Sequence, residues 1–125
     1  MFTFVSPVFS KNIWKLCFRD KKEMLNIFYD GDIPEENKKD RVLGITDYVN
    51  TTVYIDKQLD EFLLAKTLRH ELMHIYLWET GQQARDYTEE DICDIASVAI
   101  PTINKSANNI MTRLNEGLYK NKERL

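Results

Sequence analysis

The stretch from Asp60 to Trp78 constrains the fold more than any other part of the chain. Its apolar side chains recur every three or four residues, the spacing that places them on one face of an α-helix. These residues are Leu63, Leu64, Leu68, Leu72, Ile75 and Leu77. No proline interrupts the stretch, and Gly81 is placed to end it. The sequence therefore predicts one long, largely buried helix, which carries both histidines of the chain.

The two histidines flank a glutamate in the run His70-Glu71-Leu72-Met73-His74, which has the form HExxH. Residues four apart on a helix lie one turn above each other, so the two imidazoles can bind the same ion. In this motif the glutamate is the general base toward a zinc-activated water, whose pKa the zinc lowers to about 7. The run therefore predicts zinc ligands at His70 and His74 and a base at Glu71.

A structural interpretation of the same residues is also available. A histidine on an apolar helix can be a hydrogen-bonded core residue, and an HExxH run can arise by chance. Two observations favour a metal: the chain has no other histidine, and two unpaired imidazoles with a glutamate would be costly to bury in an apolar helix.

A third zinc ligand would have to be Asp, Glu or Cys, because the chain has no third histidine. Downstream, Tyr87 to Ala96 has the features of a helix start: Thr88 is a good N-cap, and Asp91 stands three residues on, as in a capping box. Four acids remain open as the third ligand, namely Glu89, Glu90, Asp91 and Asp94. Cys93 is better explained as a small buried residue of the helix.

At these residues the chain resembles a known family. Thr67 to Leu77, followed by Glu89 to Ala96, resembles the active-site region of small ImmA/IrrE-like zinc peptidases, gluzincin-type proteins common in phages and mobile elements. Upstream, Gly44 to Asp47 and Thr52 to Asp56 look like the strand that precedes the active-site helix in that family. The resemblance covers roughly residues 42 to 100.

The resemblance implies a zincin-like fold with HExxH on the central helix. It implies zinc ligands His70, His74 and Glu90, with Glu71 as general base and Asp94 as an acid that orients a histidine. It also implies a zinc-dependent endopeptidase that acts on a specific protein partner, such as a repressor-like regulator.

The resemblance further implies that an extended substrate pairs with an edge strand, which we place near Thr52 to Ile55. A tyrosine could add to oxyanion stabilisation by zinc. The candidates are Tyr54, Tyr76 and Tyr87.

Three rival interpretations use the same residues. A catalytically silent zincin-fold module could sequester a host or phage regulatory protein without cutting it. A metal-free relic of the fold would bind no zinc and would respond little to chelators. A His-His-carboxylate set also binds iron in non-haem oxygenases, but the helical HExxH order favours zinc.

Composition sets further bounds. A chain of 125 residues suits one domain, which we assign to 1–125. The net charge of −3 and the absence of a dense basic stripe make nucleic acid an unexpected partner. Cys17 and Cys93 occur in unrelated contexts and predict free thiols. Without an apparent leader or apolar span, we expect a cytoplasmic protein with no membrane segment.

The remaining pattern predicts an α+β fold, a small, mostly antiparallel sheet of about three strands packed on about three helices. Strands are expected at 12–19 and over 45–56, the latter broken near Asn50, while 25–29 suits a strand or a short helix and 30–37 a loop. Pro101 is expected to break or kink the acidic helix. Ser106 would then cap a last amphipathic helix, which carries Ile110, Met111, Leu114 and Leu118.

Overall fold

The computed structural model describes residues 1–83 and 85–116 of the chain. Within these ranges the fold is α+β. The strands are β1 (Phe2–Val5), β2 (Ile13–Arg19), β3 (Gly44–Asp47) and β4 (Thr52–Asp56). The helices are α1 (Lys21–Phe28), α2 (Glu61–Glu79) and α3 (Glu89–Asn115), and a 3-10 turn covers Glu35–Asn37.

The four strands form one mixed sheet in the order β1-β2-β4-β3. β1 pairs with β2 and β3 pairs with β4 in antiparallel fashion, whereas β2 and β4 are parallel. The expected number of about three strands is thus corrected to four, and the sheet is mixed, with two of its three pairings antiparallel as expected. The strand missed by sequence reasoning is β1, a short strand that buries Phe2 and Phe4 and exposes Thr3 and Val5.

The core lies between the sheet and the two long helices. β2 contributes Trp14, Leu16 and Phe18, whose alternation with exposed or half-buried residues confirms the predicted strand. The helices cover them with fully or nearly fully buried apolar side chains: Leu64, Leu68, Leu72 and Ile75 from α2, and Ile103, Ile110 and Leu114 from α3. At about 1.5–3 kcal/mol for each fully buried large side chain, this layer is the main stabilising term of the fold.

A half-buried carboxylate joins the β1–β2 hairpin to the end of α2. Glu79 accepts hydrogen bonds from Ser6 Oγ, from Asn12 Nδ2 at 2.7 Å and from the Trp14 indole Nε1 at 3.3 Å. The side chains of Trp14 and Trp78 meet edge to face, with ring centroids 6.2 Å apart. These contacts fix the last turn of α2 against the hairpin.

The predicted central helix is confirmed as α2. It begins after Asp60, whose side chain accepts a hydrogen bond from the Leu63 backbone N–H, and ends at Thr80. Gly81 follows with φ of +72°, the left-handed conformation that glycine adopts without strain. None of the described helices combines the length and the apolar character needed to cross a membrane.

The start of α3 is confirmed, but its predicted interruption is wrong. The Thr88 side chain and the Asp91 carboxylate form the predicted capping box. Pro101 lies inside one helix of 27 residues, and Ser106 is an interior residue rather than a cap. The apolar stripe on either side of Pro101 packs against the core, and this packing outweighs the one hydrogen bond that proline removes. The predicted Leu118 lies outside the described residues.

Three further predictions concern the short segments between the main elements. Residues 25–28 lie in a short helix, α1, the second of the two alternatives, and Tyr29 is its C-cap. β3 and β4 are separated by a turn at 48–51, as the break near Asn50 predicts. The expected loop at 30–37 contains the 3-10 turn.

Pro101→Ala should raise the free energy of unfolding by about 1–2 kcal/mol, because alanine restores the helical hydrogen bond at an exposed position. Urea unfolding followed by circular dichroism measures this. Lys105→Ala, also exposed on α3, is the control and should change stability by less than about 0.5 kcal/mol. A destabilised Pro101→Ala protein would contradict a continuous α3.

Candidate metal and catalytic site

One turn of α2 brings together the three residues of the HExxH motif that can donate to a metal. One donor atom each from His70, Glu71 and His74 lies within 4.8 Å of the others. The two imidazole rings are 4.9 Å apart, as residues one turn apart on a helix should be. Two nitrogens and a carboxylate oxygen form a donor set that suits zinc and related divalent ions.

The three side chains differ sharply in exposure. Glu71 is only 4% exposed, whereas the His70 side chain is 69% exposed and His74 also reaches solvent. The expectation that the histidines are buried is wrong, because the apolar face of α2 that packs on the sheet carries Glu71 and Leu72 and leaves His70 and His74 at its margin. The cost of burying a polar group therefore falls on Glu71 and not on the imidazoles.

The Glu71 carboxylate is held between α2 and β3. Thr46 Oγ1 donates a hydrogen bond of 2.9 Å to Glu71 Oε1, and Oε2 lies 3.9 Å from His70 Nε2. Burial raises the pKa of Glu71, while the Thr46 hydrogen bond and the two nearby histidines act in the opposite direction. One carboxylate oxygen is thus fixed by β3 and the other faces a histidine.

Gly44 makes this arrangement possible. A Cβ at this position would lie 2.8 Å from Thr67 Cγ2 and 2.9 Å from Glu71 Oε2, both too close for a real contact. Only glycine lets the start of β3 approach α2 at this distance.

A cleft of about 670 Å³ opens on one side of this group. Leu43 and Gly44 line it from β3 and the segment before it, and α3 lines it with Ile100 and Ile103. From α2 the lining includes His70 and Glu71. The motif therefore lies at the edge of a cavity of a size typical of ligand sites.

The acids at the start of α3 are not part of the three-residue group. Among the described residues, the donor cluster does not extend to Glu90, which is exposed on the first turn of α3. Asp91 is occupied by the capping box and by Arg85 at 3.2 Å, and the pKa of its carboxyl is lowered chiefly by the hydrogen bonds with Thr88. Glu89 and Asp94 are exposed. Cys93, expected to be buried, is exposed as well.

The packing of the two helices explains why Glu90 stands apart. Helices in contact that are joined by a short connection, as α2 and α3 are, are typically antiparallel neighbours, and His70 lines the same cleft as Ile100. At about 1.5 Å per residue, Glu90 lies about 15 Å along α3 from Ile100, whereas His74 lies only about 6 Å from His70. By the same rise, Asp94 lies about 9 Å along α3 from Ile100. This distance is closer than that of Glu90 to the roughly 6 Å between His70 and His74, so Asp94 lies nearer to the level of His74.

The tyrosines considered for oxyanion stabilisation lie elsewhere. Tyr76 is buried in the core, Tyr54 faces the Arg19 guanidinium, and the Tyr87 hydroxyl donates to the Gln82 carbonyl. The tyrosine near Glu71 is Tyr48, whose pKa is raised by burial and by the Glu71 charge. Its position directly after β3, the strand that contacts the motif helix, was the available sequence signal.

The strand expected to pair with substrate is also corrected. β4, which contains Thr52 to Ile55, lies inside the sheet between β2 and β3. The edge strand on the side of the motif is β3, which contacts Glu71 through Thr46.

Comparison with models of protein families, with curated proteins and with solved structures gave no match. Any function for the chain therefore has to be inferred from its own residues and their geometry.

Gly44→Ala should lower the free energy of unfolding by about 1–3 kcal/mol and weaken zinc binding, since the new methyl group displaces Glu71 and Thr67. Gly81→Ala is the matched control: it strains a positive-φ position with nothing within 4 Å, so it should lower stability without changing zinc affinity. Thermal unfolding and zinc titration separate the two effects. Unchanged zinc affinity in Gly44→Ala would contradict the close contact.

The stability of the metal-free protein should depend on the charge of Glu71. Its pKa is raised above the ordinary 4.5, so the folded chain holds this proton more tightly than the unfolded chain does. This contribution to stability is present at low pH and is lost as the pH rises from about 4.5 through the raised value. Glu71→Gln removes the titration.

Relative to wild type, Glu71→Gln should therefore gain more free energy of unfolding at about pH 8 than at about pH 4. Both differences are measured in EDTA by urea unfolding. The same difference at both pH values would show that burial does not perturb this carboxyl.

Proposed function

We propose that this chain is a zinc-dependent endopeptidase with a zincin-like fold that acts on a specific protein partner. One observation supports this proposal above all: two solvent-accessible imidazoles and one buried carboxylate converge within 4.8 Å at the edge of a cleft. A metal can enter from solvent, while the carboxylate is kept in surroundings that favour proton uptake.

In this proposal His70 and His74 hold the zinc through their imidazole nitrogens. Zinc at such a site acts as a Lewis acid and makes water acidic enough to lose a proton near neutral pH. With zinc bound, Glu71 would take that proton at Oε2, because Oε1 is engaged by Thr46. Its burial and the Thr46 hydrogen bond hold the carboxylate in one position beside the two imidazoles, which is the placement that a general base requires.

The third ligand is proposed from two different grounds. The resemblance to ImmA/IrrE-like peptidases supports Glu90, while the axial positions along α3 favour Asp94. Both side chains are exposed and can change rotamer when a metal binds. Metal affinity in Glu90→Ala and Asp94→Ala decides between them.

Substrate is proposed to bind as an extended segment along β3. Within the described residues β3 pairs only with β4, so its other edge can accept and donate main-chain hydrogen bonds. Because Gly44 lines the cleft and Thr46 contacts Glu71, a peptide on this edge would pass beside the proposed base.

A second function is favoured by one specific observation. In the part of the chain that the structure describes, the third donor of the cluster, and its one acidic member, is Glu71 itself. If Glu71 were a metal ligand, no base would remain, and the chain would be a catalytically silent module that sequesters a regulatory protein.

Glu71→Gln distinguishes these functions. For an endopeptidase, the variant retains zinc but loses cleavage by about 10²-fold or more, because glutamine keeps the shape of glutamate but cannot take up the proton. The assay incubates zinc-loaded wild type and variant with a host lysate and identifies new protein N-termini by mass spectrometry.

His74→Ala serves as the control and should lose both zinc and cleavage. Loss of zinc in Glu71→Gln, with no new N-termini produced by wild type, would support the silent module instead.

A further inference from the structure

The cleft beside His70 is lined mainly by aliphatic side chains. Leu63 and Met73 come from α2, and Ile100 and Ile103 come from α3. Ile100 is 54% exposed although it faces this cleft. Apolar surface left in water is unfavourable, so a bound apolar group would be stabilised here by about 25 cal/mol for each Å² that it covers.

Two cations line the same cleft. Lys66 lies one helical turn before His70 on α2, Arg69 directly precedes His70, and all three line the cleft. Neither forms an ion pair with an acid in the described ranges. Among described residues the one acid in the lining is Glu71, which is buried toward Thr46.

The two positive charges are a local feature of the cleft, because the chain as a whole has a net charge of −3. A lysine and an arginine that form no ion pair among the described residues, at the rim of an apolar cleft, complement a ligand with one carboxylate beside an aliphatic group. An arginine that pairs with a carboxylate forms the stronger, charge-assisted type of hydrogen bond.

We propose that this cleft recognises a peptide segment in which a large aliphatic side chain stands next to an acidic one. The aliphatic group packs between Leu63, Met73 and Ile100, and the carboxylate contacts Lys66 and Arg69. This inference rests on the proposed function, because it assigns the cleft to the same substrate that reaches Glu71.

A peptide is favoured over a fatty acid, which has the same two chemical features. Gly44 lines the cleft at the start of β3, and among the described residues that strand pairs only with β4, so its other edge can supply main-chain hydrogen bonds where the cleft begins. The acyl chain of a fatty acid carries no series of donors and acceptors that could pair with a strand, whereas an extended peptide does.

The test uses the zinc-loaded, full-length Glu71→Gln protein and short fluorescent peptides in a Ser/Gly background. Their two central residues are Leu and Glu in both orders, Leu and Lys, or Ser and Glu, and dodecanoate is tested as a competitor. Fluorescence anisotropy should show at least about tenfold tighter binding of a Leu/Glu peptide than of the other two kinds.

Lys66→Glu should reverse the preference between Leu/Glu and Leu/Lys peptides. Lys11→Glu makes the same charge change at an exposed position outside the cleft and should leave the preference unchanged. Equal binding of all peptides, no binding of any, or binding of dodecanoate alone would overturn the proposal.

Cleavage by zinc-loaded wild type separates this proposal from the proposed function. Selective binding of the Leu/Glu peptides without cleavage of any protein in the lysate assay would support the cleft assignment and contradict an endopeptidase. Cleavage of all the peptides at one rate would support the endopeptidase and overturn the cleft assignment.

Discussion

The close contact between α2 and β3 at Gly44 determines where the Glu71 carboxylate lies, and the candidate site depends on that position. Glycine allows the two backbones to approach, Thr46 then binds Oε1, and the apolar face of α2 holds the helix on the sheet. The result is a carboxylate in surroundings that penalise its charge, directly beside two accessible imidazoles. A larger residue at position 44 would disturb all three features at once.

Several parts of this arrangement could be predicted from local sequence. The three-to-four residue spacing of leucines identified α2, and strict alternation of apolar residues identified β2. The capping box of Thr88 and Asp91 marked the start of α3 to the residue. Each of these signals arises from interactions within one element, so it is visible without knowledge of the neighbours. The convergence of His70, Glu71 and His74 follows from helix geometry in the same way.

Other features depend on contacts between elements and could not be predicted. Pro101 lies inside a helix because the stripe around it packs on the core, which no local propensity encodes. The histidines are exposed because the sheet covers the neighbouring face of α2. Which strand forms the sheet edge depends on the order β1-β2-β4-β3, so the expected edge at Thr52 to Ile55 fell on the wrong strand of the β3–β4 pair. The distance between the acids of α3 and His74 likewise depends on where the two helices lie along each other, which is set by contacts between elements.

The central claim is that His70 and His74 hold a zinc ion. Elemental analysis of purified protein, combined with zinc titration of wild type, His70→Ala and His74→Ala, tests it most directly. The account predicts one zinc per chain in wild type and its loss in both variants, with folded α2 retained by circular dichroism. Wild type that binds no zinc when zinc is supplied, or variants that bind it equally well, would contradict the account.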